Sequence, residues 1–340
     1  MAEPLVEVRR GGLVESIHRG HVVVVDGAGR ARFWVGDPGR VVLARSSAKP
    51  FQALACVHSG AADRFGIAPR ELAVMCGSHW GEDAHVQAVR SILARLGLDE
   101  GALECGTHRP VHQPSADRLV REGLEPGAVH SNCSGKHAGM LAVAVQLQAP
   151  VCGYRQASHP AQRYILSLVS EITGEPAAAI RVAVDGCGAP VFALPLKALA
   201  RGFARLARPA GLPAKLQEAA SRVVAAMQAN PEMVGGSGSF DTRLLSELKP
   251  RVVCKGGAEA VYCLGLTDRG WGLALKVEDG GGRAVGPIVL EVLRQIGALK
   301  PAEEQRLREL ARPAVKNHRG EAVGELAPVF TLAAAEGVAF

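Results

Sequence analysis

Two stretches of this chain concentrate reactive side chains. His130-Ser131-Asn132-Cys133-Ser134-Gly135-Lys136-His137-Ala138-Gly139-Met140 packs a thiol, two hydroxyls, an amine, two imidazoles and two glycines into eleven residues. Core packing requires no such mixture, because buried polar groups need partners and cost free energy without them. Arg45-Ser46-Ser47-Ala48-Lys49-Pro50-Phe51 has the same character. Together the two stretches point to hydrolytic chemistry run by serine and lysine.

Ser46-x-x-Lys49 is the spacing of serine hydrolases whose base is a lysine. A serine hydroxyl is a poor nucleophile until a neighbour removes its proton. A lysine can do so near neutral pH only when burial or a nearby cation lowers its pKa. The plainer alternative is a helix N-cap serine followed by a surface lysine, and Pro50 is tolerated in a helix only near its start. Ser78, in Gly77-Ser78-His79-Trp80-Gly81-Glu82, is a second candidate nucleophile or proton relay, or else a turn serine capping the helix that follows. Lys255, in Lys255-Gly256-Gly257-Ala258-Glu259, reads as a lysine in a strand-to-helix turn that could pair with Ser78 as Lys49 pairs with Ser46. That turn lacks the residue order of a phosphate loop.

Cys133-x-x-Lys136 with Cys187 could form a metal cluster, since thiolates favour zinc. Lysine is an unusual ligand because it must bind as a neutral amine, and His130 or His137 would be more conventional donors. Two other readings stay open: a Cys133 nucleophile with His137 as base, or two buried thiols in glycine turns. His108-x-x-x-His112 has metal-ligand spacing, but Pro110 lies between the two, and the segment reads as a loop.

The elements that must position these groups alternate between strand and helix. His21 to Asp26 reads as a strand, Gly27-Ala28-Gly29 as a turn and Arg32 to Val35 as the returning strand. Arg40 to Ala44 reads as a continuation of that sheet, delivering Ser46. Leu72 to Cys76 reads as an apolar strand. Val86, Val89, Ile92, Leu93 and Leu96 mark a helical face. Helices are also predicted from Ala138 to Leu147, from Pro160 through Ile172, and over Leu212–Ala229, Val285–Gly297 and Ala302–Ala311. Arg181–Val184 and Trp271–Val277 read as strands. The class is α/β, a mixed sheet with helices. With no convincing linker, residues 1–340 read as one unit with two sublayers.

Bulk properties narrow the function classes. The chain has 340 residues, 48% hydrophobic and 21% charged, the balance of an ordinary globular protein. Its formal net charge of +6 is spread without runs, and aromatics are only 4%, which disfavours a nucleic-acid platform. No apolar run reaches the roughly 18 residues of a membrane helix, and residues 1–10 lack a signal-peptide layout, so a cytoplasmic location is expected. The eight cysteines contain no Cys-x-x-Cys pair, so a disulfide framework is not expected.

The residues taken together match a known pattern. Ser46-Ser47-Ala48-Lys49-Pro50-Phe51-Gln52, Gly77-Ser78-His79, Asn132-Cys133-Ser134-Gly135-Lys136-His137 and Asp185-Gly186-Cys187-Gly188 occur in the order of the Rhizobium etli-type inducible L-asparaginases. These are the class 3 enzymes of the asparaginase II family, and the chain resembles them from about Val8 to its C-terminus. The threonine nucleophiles of the bacterial-type and plant-type asparaginases have no matching motif. The resemblance implies a fold similar to serine β-lactamases and glutaminases, a homodimer, and Ser46 as nucleophile beside Lys49. It implies Ser78 and Lys255 as a second Ser-Lys pair, and Cys133, Lys136 and Cys187 as zinc ligands close to the substrate.

Arg45, His79, Asn132, Asp185 and Glu259 are the candidate substrate contacts, with Asp185 or Glu259 facing an α-ammonium group. The chain departs from the family pattern at Ser239, where arginine is frequent, and at Ala260, where glycine is common. The activity so implied is L-asparagine hydrolysis to aspartate and ammonia. Its rivals are a related amidohydrolase acting on glutamine or another amide, and a noncatalytic zinc- or amino-acid-binding protein.

Overall fold

A computed structural model describes residues 1–337. Its centre is a nine-stranded sheet whose paired strands all run antiparallel. Along the main path the order is Ala314–Lys316, Ala322–Pro328, Glu3–Arg10, Leu13–Asp26, Trp271–Val277, Val261–Leu266 and Val252–Gly257. Ala31–Val35 pairs with the second half of Leu13–Asp26 and with Ala333–Ala334. Val22 through Val25 are all buried, so both faces of the sheet are covered at this point. Such continuous burial explains why this run is β-branched throughout rather than alternating with polar residues.

The helix Leu196–Ala207 lies directly on the sheet. Gly265 and Gly272 permit the approach: a Cβ at Gly272 would fall onto the Ala200 carbonyl oxygen, and one at Gly265 onto that of Phe203. Beside the sheet sits a helical layer in which Lys49–His58 packs against Ser134–Gln146, Pro160–Thr173 and Ala214–Ala229. Every residue from Lys49 to Val57 is buried, and a helix enclosed on all sides is apolar all round. Lys49, its first residue, is therefore forced into the interior.

The α/β class and most predicted elements are present; most bounds shift by one or two residues, but the strand predicted from His21 begins at Leu13 and the helix predicted from Ala138 begins at Ser134. Three expectations are corrected. Leu72 to Cys76 belongs to a helix, Pro69–Met75, and not to a strand. A short apolar run does not reveal its period; Pro69 opens the helix, and the Glu71 carboxylate accepts the Ala68 amide proton at 2.7 Å. Val41–Leu43 joins a separate three-stranded sheet with Pro190–Pro195 and Arg181–Val184 and does not continue the first sheet. Lys255 lies within the strand Val252–Gly257, which turns through Glu259 and Ala260 into the next strand of a hairpin, not into a helix. Ala260 has a φ of 50°, a left-handed conformation in which glycine is the unstrained choice.

The glycine contact between helix and sheet can be tested directly. Gly272→Ala should lower the unfolding free energy by about 1–3 kcal/mol, the usual cost of overpacking, in urea denaturation followed by circular dichroism. A loss under about 0.5 kcal/mol, typical of surface changes, would contradict so close an approach.

Candidate active site

A 3₁₀ turn over Arg45–Ala48 leads into the buried helix, and Pro50 occupies its first turn where no amide proton is needed. Arg45 has a φ of 48°, a conformation that costs a non-glycine residue of order 1–3 kcal/mol and is held only by its surroundings. Here its Nε donates to Asp185 Oδ1 at 2.8 Å. Ser46 is half-buried, and its hydroxyl makes no hydrogen bond to another described residue. Its neighbour Ser47 is fully buried and donates to the Ala44 carbonyl.

Lys49 is wholly inaccessible to solvent. Its Nζ donates to the Gly77 carbonyl at 2.6 Å, to Ser78 Oγ at 3.0 Å and to the Asn132 carbonyl at 3.1 Å. Burial lowers its pKa to about 8, with Lys136 and Lys255 adding to the effect and Cys133 opposing it. An amine so placed is available as a base near neutral pH. The predicted pairing of the serines with the lysines is thus rearranged. Lys49 bonds to Ser78, and no hydrogen bond joins it to Ser46 among the described residues. One helical turn of sequence separation brings Ser46 near Lys49, but the amine turns toward the carbonyls that can satisfy it.

Lys255 does not bond to Ser78. Its buried Nζ donates to Asp241 Oδ2 at 2.8 Å and to the Gly256 carbonyl at 2.7 Å. Asp241 Oδ1 also accepts the Gly256 amide proton at 3.1 Å. Lys255 and Ser78 nevertheless line the same cleft, of about 650 Å³. Asp241, which no motif marks, is the one acidic residue between Gly235 and Thr242 and stands two residues after Ser239, in the first turn of the helix Phe240–Leu248. Ser239 caps that helix, its Oγ accepting the Thr242 amide proton at 3.1 Å.

His79, expected as a substrate contact, is fully buried with both ring nitrogens engaged. Nδ1 accepts the Gly81 amide proton at 3.2 Å, so Nε2 carries the hydrogen and donates to Ser134 Oγ at 2.8 Å. Burial, with the nearby His85 and Lys49, holds its pKa well below the histidine norm. The neutral ring ties the Ser78 loop to the helix that carries Lys136. Asn132 contributes its backbone: its carbonyl receives Lys49, and its amide donates to His108 Nε2 at 2.9 Å. Glu259 is exposed and lines a different groove, together with Arg45 and Lys276.

The helix Ser134–Gln146 begins just after Cys133. Lys136 Nζ donates to Cys187 Sγ at 2.9 Å and stands 3.9 Å from Asp185 Oδ2. The Cys133 thiol is held well below the cysteine norm, first by its hydrogen bond with Cys187. Burial works against the Lys136 ammonium, but Cys133, Cys187 and Asp185 more than offset this and raise its pKa. Among the described residues no three His, Cys, Asp or Glu side chains form a metal-holding group. The three predicted donors do converge, however, and two soft sulfurs with one amine fit zinc once the amine has lost its proton. His137 is turned elsewhere, with Nδ1 against the Tyr154 hydroxyl at 2.6 Å. His108 and His112 form hydrogen bonds within their loop region, to Arg109 and Asn132 and to Ser115.

Several solved structures resemble the chain, two of them as follows. Mglu in its native form is 17% identical with a TM-score of 0.44, and the match covers 83% of this chain but 64% of Mglu. A β-lactamase from Mycobacterium bovis is 16% identical with a TM-score of 0.43, covering 81% of this chain and 94% of that one. No curated protein matches the sequence. The L-asparaginase II family profile, by contrast, matches residues 6–328, which span Ser46, Lys49, Ser78, the cysteine–lysine cluster and Lys255. The chain belongs to the L-asparaginase II family.

Proposed function

We propose that the protein hydrolyses L-asparagine to L-aspartate and ammonia, with a serine nucleophile and Lys49 as its base. The observation that carries this reading is the buried Lys49 amine resting on Ser78 Oγ at 3.0 Å beside the half-buried, unbonded Ser46 hydroxyl. Membership of the L-asparaginase II family supports an amide as substrate. The motifs around Ser46, Ser78, Cys133 and Cys187 favour the Rhizobium etli-type class within it; the homodimer implied by that class, and the cytoplasmic location expected from the sequence, belong to the same proposal.

In this mechanism neutral Lys49 takes the Ser46 proton as Oγ attacks the side-chain amide carbon. The carbon–nitrogen bond breaks, the leaving nitrogen takes the proton back from Lys49, and ammonia departs from an ester of Ser46. Water then gives a proton to Lys49 and attacks the ester, and Oγ recovers its proton as aspartate leaves. Ser78 shares the Lys49 proton through its hydrogen bond. Backbone N–H groups near Ser46 or Ser78 would hold the oxyanion. The Arg45–Asp185 pair offers one charge for each end of the amino acid, the guanidinium for its carboxylate and the carboxylate for its ammonium. A second reading makes Ser78 the acylated residue, favoured by the Lys49–Ser78 bond itself.

Cys133, Lys136 and Cys187 would hold zinc, which when bound supplies a Lewis acid able to polarise an oxygen. Asp185, at the edge of that cluster, links it to Arg45.

Ammonia release from L-asparagine separates the readings. Ser46→Ala and Lys49→Met should each lower kcat by about a thousandfold or more, as losses of a nucleophile or its base do, while Ser78→Ala loses less. The reverse ranking of the two serines, with the acyl adduct on the Ser78 peptide in mass spectrometry, would move the nucleophile to Ser78. A wild-type protein that binds asparagine but releases no ammonia would leave a noncatalytic binder. Metal content is a separate check: the purified protein should carry near-stoichiometric zinc by elemental mass spectrometry, and Cys187→Ser should lose most of it. Equal metal content in both proteins would remove this cluster as the zinc site.

A further inference from the structure

The cleft shared by Ser78 and Lys255 is larger than a free amino acid needs. Its volume of about 650 Å³ falls within the roughly 300–1,000 Å³ of pockets that enclose drug-sized ligands. Phe240, Val261, Val285, Leu310 and Pro313 give its walls a large apolar share. Buried apolar walls add binding energy for apolar groups and none for an ammonium group.

The charges of the cleft point the same way. Asp241 is the one carboxylate on its walls, and its oxygens are already taken by the Lys255 ammonium and the Gly256 amide. Lys255 is neutralised by this pairing. Arg283 is the other cation of the wall, and among the described residues it has no acidic partner within ion-pair distance. Its Nε donates to His18 Nε2 at 2.9 Å, and His18 Nδ1 donates in turn to Asp279 Oδ2 at 2.7 Å, so the guanidinium is held in place. The cleft therefore offers apolar surface and a place for an anion, but no free acid to receive an α-ammonium group.

We infer that this cleft receives the acyl group of an Nα-acylated asparagine, so that the enzyme deamidates Nα-acyl-L-asparagines with apolar acyl chains. The inference rests on the amidohydrolase reading above and names a substrate class for the same site. In L-asparagine the α-ammonium would face Asp185, outside this cleft. Acylation turns it into a neutral amide whose apolar chain the cleft can hold, with Arg283 taking the carboxylate there in place of Arg45. The chemistry is unchanged: water cleaves the side-chain carboxamide to a carboxylate and ammonia, and the Nα-acyl bond stays intact.

The test compares ammonia release from Nα-acetyl-, Nα-butanoyl- and Nα-hexanoyl-L-asparagine with release from L-asparagine. The expected kcat/KM rises about fourfold for each added methylene fully buried against the apolar walls. Leu310→Trp, and independently Val285→Phe, should abolish that rise and keep turnover of L-asparagine within about twofold. A flat acyl series, or cleft-filling variants that lower all substrates equally, overturns the inference. If no substrate releases ammonia, the amidohydrolase reading falls by itself, and calorimetry then decides the cleft. Nα-Hexanoyl-L-aspartate binding tighter than Nα-acetyl-L-aspartate in the wild type but not in Leu310→Trp supports it, and equal binding in the wild type overturns it.

Discussion

The site depends on the burial of one amine. Lys49 begins a helix that is enclosed along its whole length, so its side chain has no route to solvent. An ammonium group transferred to such a place is strongly disfavoured unless polar groups meet it. Gly77 and Asn132 supply carbonyls and Ser78 a hydroxyl, and these three come from two loops far apart in sequence. Satisfying this one group therefore fixes the 77–79 loop and the 130–133 loop against the start of the helix. The same burial that demands partners also lowers the pKa toward neutrality, which makes the amine useful as a base.

The other charges are arranged around that constraint. Lys255 is buried on Asp241, Lys136 on Cys187 near Asp185, and Arg45 on Asp185. Buried ion pairs add little net stability, because desolvation consumes most of the attraction, but breaking one leaves an uncompensated charge and is severe. Their effect is to specify position. Asp185 joins the strained Arg45 backbone to the cysteine–lysine cluster, so the turn carrying Ser46 and the candidate metal ligands are mechanically one unit. His79, neutral and stacked on His85, braces the Ser78 loop from behind.

Much of the site was legible from side-chain chemistry. Ser46, Lys49, Ser78, Cys133, Lys136, Cys187 and Lys255 stood out because polar and reactive residues were clustered beside glycines, and the fold gathers them into adjoining parts of one region. What proved illegible was partnership. Which serine Lys49 bonds to depends on where two distant carbonyls lie, and no spacing within one segment encodes that. Asp241 carries no sequence signal, because an isolated acid in the first turn of a helix is ordinary until a buried lysine is found 2.8 Å away. His79 was misjudged because adjacency to Ser78 does not reveal whether a ring faces the substrate or the core. The helix at Pro69–Met75 was misread for a related reason, since a short fully buried run has no exposed face to show its period.

The sequence by itself determined the class of fold, the family and the reactive inventory, because these follow from local periodicity, turn chemistry and rare clusters of functional groups. It marked His21 to Asp26 as a β-branched strand, while its burial on both faces and the start of a helix at Lys49 came from the packed structure. Only the tertiary structure decided which lysine meets which serine, which carboxylate neutralises which cation, and how large the cleft beside Ser78 is. Those outcomes are set by desolvation. A buried charge takes whatever partner the packed chain brings within hydrogen-bond reach, and that reach is defined by contacts between segments up to hundreds of residues apart.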